Sequence, residues 1–180
     1  MSVQQLSTWF APWHSLYAGS KVVPTLTESA HLLAMLIGGG LAIGADRTTI
    51  RVIKKNILDR YSYLEELHAV HRPVVISFAL LFITGIALAA ADIDTFVASP
   101  AFWVKLGLVA LLLINGGVLT WTESRLRKLS HAVVTPSDGA SWYPVDRARR
   151  RWTRLRVTSA LSIILWALTL IAGAVLVDVA

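Results

Sequence analysis

Five histidines are the side chains of this chain best suited to hold a cofactor: His14, His31, His68, His71 and His131. Imidazole ligates haem iron and copper alike. Cysteine is absent, which excludes disulfides, thiolate metal centres, iron–sulfur clusters and cysteine nucleophiles. His31 stands in a stretch without charge between Glu28 and Asp46, with Met35 one turn further along the same helical face. Imidazole and thioether at that spacing suit Cu(I), and His14 would supply a third ligand. The bland alternatives are a histidine hydrogen-bonded across helices and a methionine that packs a core. Lys105 is a basic residue inside another apolar block. Such a group is costly in a bilayer and marks a functional site, unless its ammonium snorkels to the interface. A second, inner candidate site comprises His68, His71, Arg72 and His131. One of the paired histidines would hold a haem with His131 while Arg72 meets a propionate; otherwise both stand at the headgroup level. No glycine-rich phosphate loop, nucleophile elbow or zinc-protease motif is present.

The elements that position these residues are membrane spans. Hydrophobic residues make up 55% of the 180-residue chain and the mean hydropathy is +0.60, above the roughly 45–50% apolar usage of soluble domains. Long uncharged blocks carry the excess. They predict a single all-α membrane domain over residues 1–180, an up-down bundle of four transmembrane helices at about 30–45, 73–91, 102–122 and 157–177. Leu6, Trp9, Phe10, Trp13 and Tyr17 predict an N-terminal interfacial segment. Pro24 breaks it, and Thr27 is the expected N-cap of span one. Ile50, Ile53, Ile57, Leu64 and Leu67 predict a basic amphipathic surface helix over 46–69, between spans one and two or running into span two. Pro73 opens span two. Asp92 and Asp94 close it, and a short loop leads to Pro100. Trp103 and Trp121 anchor the ends of span three, a loop over 123–156 contains a Pro136–Gly139 turn, and the stripe Thr158, Ser162, Thr169 and Gly173 faces the bundle with Trp166. Gly40 and Gly44 form a GxxxG pair and Gly85 and Ala89 a second small-residue pair. These faces suit packing within the bundle, or against a second copy or other membrane subunits.

Charge gives the orientation. The segment 46–69 carries five Lys and Arg and the segment 123–156 nine, whereas the 92–101 loop and the C-terminus carry none. Positive-inside therefore puts both termini on the non-cytoplasmic side. The same distribution explains the net charge of +6 by lipid-facing loops rather than by nucleic acid. The first basic residue, Lys21, follows the apolar Trp9–Trp13 stretch, a pattern that predicts no cleavable signal. Depth then constrains the histidines. His31 opens span one while His68 and His71 precede span two, so in antiparallel neighbours they stand ~20 Å apart in depth, at ~1.5 Å per residue. They do not share one iron; Lys105, Met35 and the outer-side His14 are the groups at the level of His31.

A histidine opening span one, Ile83-Thr84-Gly85 in span two and Trp103-Val104-Lys105-Leu106 opening span three carry a resemblance. The chain is similar to four-helix bacterial membrane proteins related to copper-resistance protein D and to HemJ-type protoporphyrinogen oxidases, and most similar to their uncharacterised members. The resemblance covers roughly residues 28–178. The HemJ-type branch implies an oxidoreductase of the inner (cytoplasmic) membrane with a b-type haem, His31 as axial ligand and Lys105 as an essential neighbour. The copper-resistance branch implies copper handling at the membrane. Gly38-Gly39-Gly40 stands where a HemJ-type helix carries aromatic and proline residues, so the haem is the stronger expectation and the porphyrinogen oxidation the weaker. A cofactor-free accessory subunit of a membrane complex is the third reading.

Overall fold

The computed structural model describes residues 3–55, 57–134 and 145–179. Side chains are described for these except 3–6, 57–59, 61, 68, 129–134, 145–148 and 177–179. The elements are α1 (Val3–Gly19), α2 (Val22–Val52), α3 (Ile57–Ala91), α4 (Ile93–Ala98), α5 (Pro100–Val134) and α6 (Val145–Val179), with no strand among the described residues. Four stretches are long and apolar enough to cross a membrane: Val22–Val52, Ser62–Ala91, Pro100–Lys128 and Arg149–Leu176.

Every span extends beyond its apolar block, because helical hydrogen bonds persist wherever no residue breaks them. Ser20, not Thr27, caps α2: its hydroxyl accepts from Val22 N at 3.2 Å and Val23 N at 3.4 Å. Pro24 sits in that first turn, where its missing N–H has no intrahelical partner to lose. Thr25 and Thr27 hydroxyls turn back to the Lys21 and Val23 carbonyls, each at 2.8 Å. Among the described residues no separate helix intervenes between the first two spans. Residues 46–52 complete α2, a turn follows at 53–55, and α3 is already helical at Ile57. Pro73 consequently lies inside α3 rather than at its start. Asp92 caps a six-residue helix, α4, in place of the expected loop, its carboxylate accepting from Thr95 N at 3.4 Å. The described parts of 123–156, residues 123–134 and 145–156, are helical, and the expected Pro136–Gly139 turn lies outside the described residues.

The chain divides into two compact units. The first comprises Met1–Leu41, Arg72–Leu108 and Leu168–Ala180, and the second Ala42–His71 and Val109–Ala167. Within the first, α1 docks on α3. Trp13 Nε1 donates to the Ala87 carbonyl at 2.8 Å and His14 Nδ1 to that of Ala91. Trp9, expected on the same face, is 78% exposed. Tyr17 reaches Glu28 of α2, and burial, then the Glu28 carboxylate, pushes its phenol above the ordinary value. Helices α2 and α3 cross at Gly38, where an added Cβ would meet Ser77 Cβ at 2.7 Å. Gly40 and Gly44 are exposed and face open space. Among the described residues the predicted GxxxG pair therefore makes no close helix–helix approach, and Gly38 makes one.

Within the second unit, Leu64, Leu126, Trp152 and Leu155 form an apolar core with Ile53 and Leu119 packed on it. Along α6, Trp152, Leu155, Ser159, Ser162, Trp166 and Thr169 are buried in alternating steps of three and four, the seam of helices packed at a shallow angle. The polar stripe on this helix and Trp166 do face inward. Leu, Ile, Val and Phe dominate the exposed surface of the spans, while Asp46, Thr49, Asn115, Thr122, Glu123 and Ser159 are buried. That distribution inverts the soluble pattern and suits a lipid solvent.

Candidate functional site

The candidate site of the first unit is built on His31. Span-one residues step it onto the inward face of α2 with Ala34 and Gly38, both buried. Its Nδ1 lies 2.8 Å from Thr84 Oγ1, and the Thr84 hydroxyl in turn donates to the Leu80 carbonyl at 2.7 Å. A hydroxyl has one hydrogen, so Nδ1 must carry the proton between His31 and Thr84. The accounting leaves Nε2 with its lone pair, the state of a metal-ligating imidazole whose other nitrogen is held by a polar partner. Gly85 gives the ring its seat: a Cβ there would stand 3.5 Å from His31 Cε1. Sequence reasoning placed Gly85 in a helix-packing pair, whereas its neighbour here is the imidazole.

Lys105 of α5 folds inward. Its Nζ would be 3.5 Å from a Cβ at Gly173 of α6, and the side chain is near enough to His31 for the two to interact electrostatically. The lysine does not snorkel out, because a small residue opposite leaves space for it. Met35 is half-buried one turn from His31. His14 is tied elsewhere: its anchor at Ala91 is seven residues from Thr84 on α3, about 10 Å along the axis. Its Nδ1 faces a carbonyl, an acceptor only, so its Nε2 is likewise unprotonated when neutral.

The second unit holds a different polar group. His71 Nε2 and Glu123 Oε2 are 2.7 Å apart, with Glu123 2% exposed; the two make a close ion-pair contact without the alignment of a hydrogen bond, and Thr120 Oγ1 also lies 3.4 Å from Nε2. Nε2 of His71 is thereby engaged. Arg72 is exposed, and the side chains of His68 and His131 lie outside those described. Asp46, 5% exposed, lies beside the Ser162 and Ser159 hydroxyls. Tyr63 OH donates to the Ala45 carbonyl at 2.9 Å, and Thr49 Oγ1 donates to Tyr63 OH at 3.4 Å. Asn115 Nδ2 donates to the Thr158 carbonyl at 3.0 Å, which ties α5 to α6. Sequence reading treated Asp46 and Glu123 as residues that end spans. Their spacing was the available signal: Thr49 follows Asp46 by three, and Glu123 sits between Leu119 and Leu126 of the buried face of α5.

No group of three or more His, Asp or Glu side chains able to hold a metal occurs among the described residues. The fold and its surface define a multi-pass membrane protein. Comparison with family models, with curated proteins and with solved structures finds no match to this chain in any of the three.

Proposed function

We propose that this protein binds a b-type haem in the bundle and serves electron transfer in the inner membrane of a bacterium, with His31 as an axial ligand. One observation carries the reading: Thr84 fixes the proton on Nδ1 and leaves the Nε2 lone pair of an intramembrane histidine for a metal. The donor set fits a haem better than a bare ion. A porphyrin supplies four nitrogens of its own and asks the protein for one or two axial groups, whereas an ion held by His and carboxylates alone needs a cluster of three or more that the described residues lack. Lys105, turned inward beside Gly173, supplies the positive charge that a buried propionate requires. Haem contributes reversible one-electron chemistry when bound. The protein's own part is to orient the His31 ring through Thr84 and to hold Lys105 opposite a charge. The resemblance to the HemJ-type proteins points the same way.

The test is the visible spectrum of protein purified from haem-replete cells, with copper measured alongside. A Soret band is expected, lost in His31→Ala and retained but weakened in Thr84→Val, where the ring loses the partner that sets its tautomer. A full spectrum in His31→Ala with bleaching in His71→Ala would overturn the assignment. Stoichiometric copper without colour would favour the copper-handling reading through His31 and Met35, with His14 as the third ligand, and a colourless, metal-free protein the accessory-subunit reading.

We infer further that both termini lie on the non-cytoplasmic side, from the nine Lys and Arg of 123–156 against none in 92–101. The absence of cysteine makes this simple to measure. A membrane-impermeant maleimide added to whole cells with a permeabilised outer membrane should label Asp94→Cys and spare Lys128→Cys, both at exposed positions. The reverse pattern would invert the topology.

A further inference from the structure

We propose that Trp121, Arg125 and Arg154 form a binding site for the phosphodiester of an anionic phospholipid. Two guanidinium groups converge on one indole: Arg154 Cζ lies 5.0 Å and Arg125 Cζ 5.4 Å from the Trp121 ring centroid. A third arrives beside them, because Arg151 Nη1 donates to the Arg125 carbonyl at 3.2 Å. The first two charges are therefore at most about 10 Å apart, no more than roughly one Debye length at 0.1 M salt, so their repulsion is only partly screened. Cation–π attraction to the indole offsets part of that. No carboxylate offsets the rest among the described residues: Glu123 is engaged by His71, and Glu65 by Arg127. A cluster of like charge assembled by folding, exposed and without a carboxylate partner among the described residues, is complementary to an anion. Arginine forks match the paired oxygens of a phosphate.

The surface that continues from this cluster selects the source of the phosphate. Trp121 is 50% exposed. One and two turns back along α5 from it are Gly117, exposed with open space where a Cβ would stand, and Ile114, 64% exposed. Along α6, Arg154 is followed on the same side by Val157 at 59% and Leu161 at 44% exposure. A cationic end passing directly into an apolar, shallow strip suits an amphiphile with a phosphate head and acyl tails. A free phosphate or a nucleic acid would leave the strip unused. The site stands independently of the haem proposal, since it lies wholly on 114–161 of the second unit.

Lipid binding to the detergent-solubilised full chain, read by native mass spectrometry with added phosphatidylglycerol or phosphatidylcholine, tests the proposal. Phosphatidylglycerol is expected to bind on the order of tenfold tighter than phosphatidylcholine. That preference should vanish in Arg125→Ala/Arg154→Ala and persist in Arg149→Ala/Arg150→Ala, which removes the same charge from exposed positions nearby. Arg125→Lys/Arg154→Lys, which keeps the charge and thus the fold, should lose part of the preference with the fork. Equal loss in the two alanine pairs would reduce the effect to net charge and overturn the site. So would displacement of the lipid by millimolar inorganic phosphate, which would assign the cluster to a free anion.

Discussion

His71→Leu is expected to destabilise the protein by about 3 kcal/mol, near the low end for stranding a buried charge because a chain unfolded within a bilayer still finds polar partners. The cost falls on Glu123, not on the histidine. Glu123 is 2% exposed and its Oε2 lies 2.7 Å from His71 Nε2; without the imidazole, the carboxylate must either stay charged in a dry interior or take up a proton. The two effects separate in a double-mutant cycle. His71→Leu/Glu123→Leu removes both polar groups and should recover most of the loss, since two apolar side chains of similar volume leave neither member of the pair stranded. Unfolding by SDS titration in mixed micelles provides the measurement. If the double variant is as unstable as His71→Leu alone, the pair does not interact in the way its geometry requires.

Gly38→Ala should cost about 1–3 kcal/mol, the range for overpacking a filled contact, and Gly40→Ala should be neutral or slightly stabilising. The sequence invites the opposite ranking, because Gly40 and Gly44 have the GxxxG spacing. At Gly38, however, an added Cβ would stand 2.7 Å from Ser77 Cβ and 3.9 Å from its Cα. Those atoms belong to or adjoin the backbone of α3, so the helices themselves would have to separate. At Gly40 nothing lies within 4 Å, and alanine gains up to about 1 kcal/mol of helix propensity. Ser77→Gly in the Gly38→Ala background should restore stability in the same titration. A loss at Gly40 as large as at Gly38, with Gly38 unaffected, would locate the helix crossing elsewhere.

Residues 38 and 40 differ by roughly 200° around a helix, and that difference summarises what could be read in advance. The glycines announced a close approach somewhere in span one, but the side on which it falls depends on how α2 is rotated against its neighbours. Similarly, His31 was legible as a lone imidazole in an apolar stretch, and Gly85 as a small residue. That Gly85 seats the imidazole and that Thr84 fixes its proton became visible only with α2 and α3 side by side. Lys105 had two outcomes open in sequence, snorkelling or facing inward, and Gly173, sixty-eight residues away in the chain, decides between them by leaving space.

By itself the sequence determined the four apolar spans, the inward polar stripe of α6 and the asymmetry of Lys and Arg. Each is a property of one segment, expressed in hydropathy or in helical period. It did not determine where the helices end. Hydropathy marks the part of a helix that lipid must cover, whereas backbone hydrogen bonds run on through polar residues until something breaks them, as at 53–55. Asp46 and Glu123 were assigned to span ends for that reason. Tertiary structure placed them inside, since a carboxylate near a span end is buried or solvated according to which side chains of other helices meet it. Ser162 meets Asp46 and His71 meets Glu123, and no property of either acid's own segment specifies those partners.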